Sequence, residues 1–526
     1  MRTVERIQAL SLLVVSGILF PLTLPSPVFS YGSAPLGALA LVPLYLFVLR
    51  AQDTKLLVRG GVLFGAISTI IANFWLAFFQ DFSVWTLGGA TVGYMAYNAI
   101  LFGFFSLVRN RPRPYRPVYF ALIWVAYEYL KSVGFLGYPW GLAAYSLTDL
   151  PILLQIAEVT GVWGVSLAVV VVNAYLAEAL TSHTVRERLR YTGAALILPA
   201  ALLGFGLYAD SRQRPVEDSL GVLLVQQNVD SWAPGNFSNA LRTAQEITRE
   251  GFDSTSAPVD LVVWSETSLR RPYIGWREYY EQNPPEAPFS RFLADLDRPL
   301  LTGSPIEVEN GYMNGALLLD PRGEVLSSYG KQQLVPFAER VPFWEWDPLR
   351  AFFQRYIGLQ AVWLPGYSSE PMLLPRAEGE AVPLGVPICF EDAFSNVVRE
   401  MVRSGARGLV NLTNNSWSES DSAQIQHLAA ARFRSIEQRI ALARSTNSGV
   451  TTLVDASGRR QRSLPMFEAG SLYVELPIYA EVGETIYAVA GPWLPGLAIM
   501  VTAVLLAGGT KKATRYVPGR PLQRVD

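Results

Sequence analysis

Cysteine is nearly absent from this chain. Cys389 is the only one in 526 residues, which excludes an intramolecular disulfide and any cysteine-rich zinc site. Histidine is almost as scarce. His183 and His427 are the only two, and their wide separation offers no metal-ligand spacing. No metal or other cofactor is implied. An excess of one charge is missing as well: formal net charge is −1, so no global field attracts nucleic acid. Charge of either sign is thin, at 17% of residues, while 50% are hydrophobic and mean hydropathy is +0.23. That is too apolar for an ordinary soluble enzyme of this length and points to a chain partly embedded in a membrane.

What is present is unevenly spread. Residues 1–210 are long apolar runs broken by short basic loops, 211–484 carry charges throughout, and 485–526 hold one more apolar run and a basic tail. Eight runs read as membrane spans, near 7–24, 34–50, 60–79, 87–108, 117–131, 156–180, 191–208 and 487–508. Basic residues gather in alternate connections: Arg2 and Arg6; Arg50, Lys55 and Arg59; Arg109, Arg111, Arg113 and Arg116; Arg186, Arg188 and Arg190; and Lys511, Lys512, Arg515, Arg520 and Arg524. The positive-inside rule makes that side cytoplasmic. Seven spans from a cytoplasmic start then place residues 211–484 outside. The first run also fits a secretory signal with a basic start, which would leave the side of the large domain unchanged. Span interiors are nearly free of ionisable groups, and Glu128, Glu158 and Glu178 lie towards span ends or among aromatics. A pump would bury more charge, so the bundle reads as an anchor and lipid-facing platform.

The charged region alternates two patterns. Apolar, β-branched runs at 219–229, 260–266, 298–308, 315–320, 382–391 and 406–415 predict strands. Between them, 238–250 and 422–443 predict helices, the second with Ser422 as N-cap and an apolar face of Ile425, Leu428, Ala429, Phe433, Ile436 and Ile440. Buried strands separated by helices argue for a layered α/β domain.

Three of these stretches carry possible chemistry. "LVVWSE" closes on Glu266, "PICFED" runs from Cys389 into Phe390, Glu391 and Asp392, and "LVNLTNN" ends at Asn414 and Asn415. Ligand sites in α/β folds gather at such strand ends. Singly, each has an ordinary reading. Glu266 fits the first solvated residue after a strand, and Cys389 fits a small buried hydrophobe. "YGKQQLVPFAERVPF", with Lys331 and Glu339, fits an exposed loop.

Together they resemble the carbon–nitrogen hydrolase (nitrilase) superfamily, which uses a Glu-Lys-Cys triad on an α-β-β-α sandwich. The pieces stand in family order: "VVWSET" with Glu266, "GKQQLVPFAERVPF" with Lys331 and Glu339, and "GVPICFED" with Cys389, followed by "NLTNNSW" and "RSIEQRIALARSTNSGVT". With seven spans before and one after, the combination resembles the bacterial apolipoprotein N-acyltransferases. "GYPWGLAAYS", "GVWGVSLAVVVVNA" and "SWAPGN", which contains Trp232, look like that family's membrane loop, sixth span and active-site segment. There are departures. Phe390 stands where the family commonly has Tyr, so any role that needs the hydroxyl is in doubt. Asn415 replaces an acid and is assigned no catalytic role.

The resemblance implies an eight-span helical bundle carrying a nitrilase-like sandwich: 1–210 as seven spans, 211–484 as the extracytoplasmic catalytic domain, and 485–526 as the eighth span and cytoplasmic tail. It implies a multi-pass protein of the bacterial cytoplasmic membrane. Cys389 is then the nucleophile, Glu266 the proton acceptor, and Lys331 a stabiliser of thiolate and oxyanion. Glu339, Glu391, Trp232 and Phe390 are supporting residues. The implied donor is a phospholipid, the sn-1 acyl of phosphatidylethanolamine, and the acceptor is the N-terminal diacylglyceryl-cysteine of an apolipoprotein. A membrane-tethered amidase or nitrilase acting on a small soluble amide is the alternative that keeps the triad.

Overall fold

Apolar helices come first in the chain and strands follow. The structure, a computed structural model, describes residues 2–78, 83–212, 214–229, 236–341, 343–357, 363–376 and 379–508. Trp232 and the basic tail beyond 508 lie outside the described residues.

Five helices among the described residues are long and apolar enough to cross a membrane: Val4–Leu22, Thr54–Ala72, Trp85–Arg109, Val162–Leu180 and Val185–Ser211. The other three expected spans take shorter forms. Residues 34–50 split into helices Ala34–Gly37 and Val42–Arg50, Arg116–Ser132 has 17 residues, and Trp493–Gly508 has 16. The expected span at 156–180 is also interrupted. Gly161, at φ 66°, ends helix Ala157–Thr160 and starts Val162–Leu180. That left-handed conformation suits glycine.

Helix Val162–Leu180 is the centre of the bundle, with almost every residue from Val162 to Val172 buried. Val185–Ser211 lies at its edge and exposes Leu189, Leu196, Ile197, Leu203 and Leu207, as a helix bathed in lipid would. The late helix Trp493–Gly508 packs back on Arg116–Ser132. Buried charges in the bundle have partners: Glu178 accepts from Tyr45 at 2.8 Å and from Arg113 at 2.6 Å.

The second half builds two six-stranded sheets. One contains β1 (Val216–Gln226), β2 (Leu261–Val263), β3 (Leu300–Val308), β4 (Gly311–Leu319), β5 (Val325–Gly330) and β12 (Gly470–Tyr479), in the order β12-β1-β2-β3-β4-β5. The other contains β6 (Met372–Leu374), β7 (Val382–Gly385), β8 (Gly408–Thr413), β9 (Leu442–Thr446), β10 (Thr452–Val454) and β11 (Arg460–Ser463), in the order β11-β10-β9-β8-β7-β6. The central strands β1–β2–β3 and β7–β8–β9 are parallel, and the outer pairings are antiparallel. The inner faces meet in one core that includes Val222, Leu224, Ala316, Val410, Leu412 and Ala443. Ser445 stitches the sheets, donating to the carbonyls of Val225 and Val263.

Helices Phe237–Asp253 and Phe289–Leu296 cover the first sheet, and Ser395–Arg403 and Asp421–Gln438 cover the second. The long predicted helix at 422–443 therefore ends sooner. Arg439 adopts the left-handed conformation after Gln438, and β9 begins at Leu442. Its N-cap position is Ser420, not Ser422. Nor has it a single apolar face. It is buried nearly all round, because it lies between the second sheet and the membrane half. Gln426 donates to the carbonyls of Pro25 at 2.8 Å and Ala72 at 3.1 Å, and Arg432 to that of Thr148 at 2.8 Å. Polar side chains satisfy loop carbonyls across this seam, so the membrane half and the sandwich share one interior.

Candidate active site

The four residues Glu266, Lys331, Glu339 and Cys389 come from three segments of the chain. Glu266 follows β2, where the chain leaves the sheet. Lys331 follows β5, with its N–H bonded to Asn314 O at 2.8 Å and its carbonyl to Gly366 N at 2.7 Å. Glu339 sits eight residues on, in the loop whose Val335 N–H donates to its Oε2 at 2.7 Å. Cys389 opens a 3-10 turn, Cys389–Ala393, after β7. The predicted strand at 382–391 thus stops at Gly385, and Cys389 lies on an elbow with φ 53°. A non-glycine residue in that region persists only where its surroundings hold it there.

Those surroundings are specific. Asn411 Nδ2 donates to Cys389 O and to Pro387 O, both at 2.9 Å. Glu391 is fully buried and accepts from Ile388 N at 2.8 Å, Gln332 N at 2.7 Å and Gln333 N at 2.9 Å, and from the Tyr329 hydroxyl. It therefore ties the cysteine elbow to the lysine loop. Burial pushes its carboxyl up to about 7, against the pull of those donors and Lys331.

Lys331 is no loop charge; it is 1% exposed. Its Nζ lies 2.8 Å from Glu339 Oε1 and 3.3 Å from Glu266 Oε1. Asn314 Nδ2 bridges the same two oxygens, 2.8 Å from Glu266 and 3.0 Å from Glu339. Glu266 Oε2 takes the N–H of Asn414 at 2.8 Å. Every oxygen of the two carboxylates is thereby oriented, which fixes Glu266 beside Cys389. Phe390 places its ring 5.4 Å from Lys331 Nζ, a cation–π contact, and stacks edge-on with Phe394 at 5.0 Å.

Electrostatics settle the resting proton. Burial alone would depress Lys331, but Glu266 and Glu339 prevail and hold it well above the ordinary lysine range. Cys389 is also pushed well up, first by burial and then by the charge of Glu266. Lys331 pulls the thiol down, as expected from sequence, but by less than burial and Glu266 raise it. The resting sulfur is a thiol under the charge of the Glu266 carboxylate, with the Lys331 ammonium beside that carboxylate. Such an arrangement suits concerted proton removal as the thiol attacks an acyl carbon.

The expected residues Glu266, Lys331, Glu339, Cys389, Glu391 and Phe390 all meet here; Trp232 lies outside the described residues. Sequence reading missed Asn314, Tyr329 and Asn411. Asn314 lies inside β4 with no local pattern to mark it. Asn411 could have been noticed as a polar residue in the apolar run "GLVNLT", where an unpaired amide would be costly. Among the described residues no cluster of His, Cys, Asp and Glu could hold a metal.

The chain is similar to known proteins along nearly its whole length. Residues 16–175 match the apolipoprotein N-acyltransferase N-terminal domain, and residues 222–487 match carbon–nitrogen hydrolase. It is 37% identical to apolipoprotein N-acyltransferase 2 of Treponema denticola, over 96% of this chain and 98% of the relative. It is 36% identical to apolipoprotein N-acyltransferase 2 of Treponema pallidum, over 95% and 94%. The apolipoprotein N-acyltransferase of Borreliella burgdorferi is 31% identical, over 89% and 91%. Both halves match, in this order and over this length, and the triad order read from sequence meets in one buried site. The chain belongs to the apolipoprotein N-acyltransferase family.

Proposed function

We propose that this protein transfers an acyl chain from a membrane phospholipid to the N-terminal amine of a diacylglyceryl-cysteine on an apolipoprotein, through a thioester on Cys389. The observation that carries this reading is the buried cluster in which Lys331 Nζ lies 3.3 Å from Glu266 and 2.8 Å from Glu339, where the turn that begins at Cys389 meets the loop of Lys331. In the first half-reaction Glu266 takes the thiol proton while sulfur attacks the ester carbonyl. Lys331 and the Phe390 N–H stabilise the tetrahedral oxyanion. The C–O bond then breaks, and the proton passes from Glu266 to the leaving lysophospholipid oxygen. In the second, the acceptor amine attacks the thioester, Glu266 takes the amine proton, the C–S bond breaks, and the proton returns to sulfur. The main-chain donor is unaffected by Phe390 standing where relatives commonly have Tyr.

The donor assigned is the sn-1 acyl of phosphatidylethanolamine. The apolar helices within 1–210 and Trp493–Gly508 together make eight spans, with Trp493–Gly508 packed by one face on Arg116–Ser132. The catalytic domain, 211–484, faces the extracytoplasmic side of the bacterial cytoplasmic membrane. The alternating basic connections support that orientation. A site that excludes water favours the amine over hydrolysis of the thioester.

Intact-mass measurement of the full chain mixed with phosphatidylethanolamine tests the reading. One fatty-acyl mass should appear on Cys389, hydroxylamine should remove it, and Cys389→Ser should not acquire it. A protein that stays unmodified by phospholipid yet hydrolyses small amides would instead be a membrane-tethered amidase.

A further inference from the structure

His427 has a place that the chemistry above does not use. It is 4% exposed and lies mid-helix in Asp421–Gln438. Its Nδ1 faces Arg444 Nη2 at 2.9 Å and Asn415 Nδ2 at 3.3 Å. A guanidinium and an amide NH2 are donors only, so Nδ1 is the acceptor. The hydrogen is therefore on Nε2, which donates to Asp392 Oδ1 at 2.8 Å. Arg444 Nε closes the ring of contacts on Asp392 Oδ2 at 2.9 Å. The imidazole is thus neutral, with one tautomer selected, and burial and Arg444 both disfavour its protonation.

The two partners of this ring lead to the two reacting groups. Asp392 belongs to the 3-10 turn that Cys389 opens. Asn415 adjoins Asn414, whose N–H orients Glu266 Oε2. One imidazole therefore joins the turn that carries the thiol to the segment that orients its base. Its remaining side belongs to the membrane half. The Trp140 ring is 5.5 Å from His427 and 6.5 Å from Phe390, and Trp140 O accepts Lys131 Nζ at 2.5 Å.

We propose that His427 is a positioning residue, a neutral crossbar between Asp392 and Asn415 that sets the thiol of Cys389 against the carboxylate of Glu266, with Trp140 of the membrane half pressing it into place. It touches neither substrate nor the reacting atoms. The proposal rests on Cys389 as nucleophile and Glu266 as base.

The test uses the full chain in detergent with phosphatidylethanolamine and a diacylglyceryl-cysteine peptide, reading kcat and KM for acyl transfer together with thermal unfolding. His427→Ala should lower kcat on the order of a hundredfold, as for a misplacement of about 1 Å, and leave KM unchanged. His427→Gln keeps an N–H towards Asp392 and should recover about tenfold of that loss. Asn415→Ala should lower kcat with KM unchanged. Wild-type kcat in His427→Ala, a change confined to KM, or a Gln variant no better than Ala would overturn the proposal. A merely structural histidine would lower the unfolding temperature without a kcat effect that Gln rescues. Should His427→Ala fail to fold, Gln and Asn415→Ala decide alone: lowered kcat in both supports the crossbar, and wild-type kcat in either overturns it. A wild-type chain that forms no thioester at all instead removes the assignment of Cys389 and the crossbar with it.

Discussion

The carboxylate of Glu391 accepts the backbone N–H of Gln332 at 2.7 Å. The two residues are 59 apart in sequence, and the contact joins the loop of the ammonium to the elbow of the thiol. Glu391→Gln puts an amide NH2 among backbone donors. Each buried N–H left unsatisfied costs about 1–3 kcal/mol. We expect a lower unfolding temperature and slower thioester formation from phospholipid. A Glu391→Gln protein as stable and active as wild type would remove this tether from the account.

Glu266 raises the pKa of the Cys389 thiol. Its negative charge favours the protonated sulfur. In the wild type the thiolate fraction should keep climbing with pH through and beyond the ordinary cysteine value of about 8.5, with no plateau near neutrality. Glu266→Gln removes the charge, so the thiol pKa should fall while acylation by phospholipid slows on the order of a hundredfold or more. The pH-rate profile of alkylation by iodoacetamide reads the first effect and intact mass the second. A thiol pKa that rises in Glu266→Gln contradicts the electrostatic picture.

Gly161 separates two helices at the seam. It adopts φ 66°, and a Cβ there would lie 2.4 Å from the Tyr487 ring. The next residue, Val162, donates its N–H to Glu437 at 2.9 Å, so the turn cannot shift freely. Gly161→Ala should destabilise the protein by about 1–3 kcal/mol. Thermal unfolding in detergent measures it, and an unchanged midpoint would show that the seam yields more easily than this packing implies.

Orientation in the membrane is independently testable. A reporter active only outside the cytoplasm should be active when fused near Ser254 and silent when fused after Lys512. The reverse pattern would falsify the assignment of the catalytic domain to the outer side and, with it, access to lipoprotein substrates there.

The sequence by itself determined the division into an apolar helical half and an α/β half, and marked Glu266, Lys331, Glu339 and Cys389 as candidates. Hydropathy and strand patterns are local, and the three motifs are short runs that keep their order along the chain. Boundaries followed less well. Helix Asp421–Gln438 stops where Arg439 turns left-handed, although the apolar pattern runs on into β9, because a buried helix and a buried strand use the same residues. Only the tertiary structure decided that Lys331 is buried, since the carboxylate that compensates it besides Glu339 comes from Glu266, 65 residues away. Only it brought Asn314 between the two carboxylates and His427 between Asp392 and Asn415. A polar side chain in a strand or helix has no local signature of its partner. Its partner is chosen by which segments the two sheets and the membrane half press together.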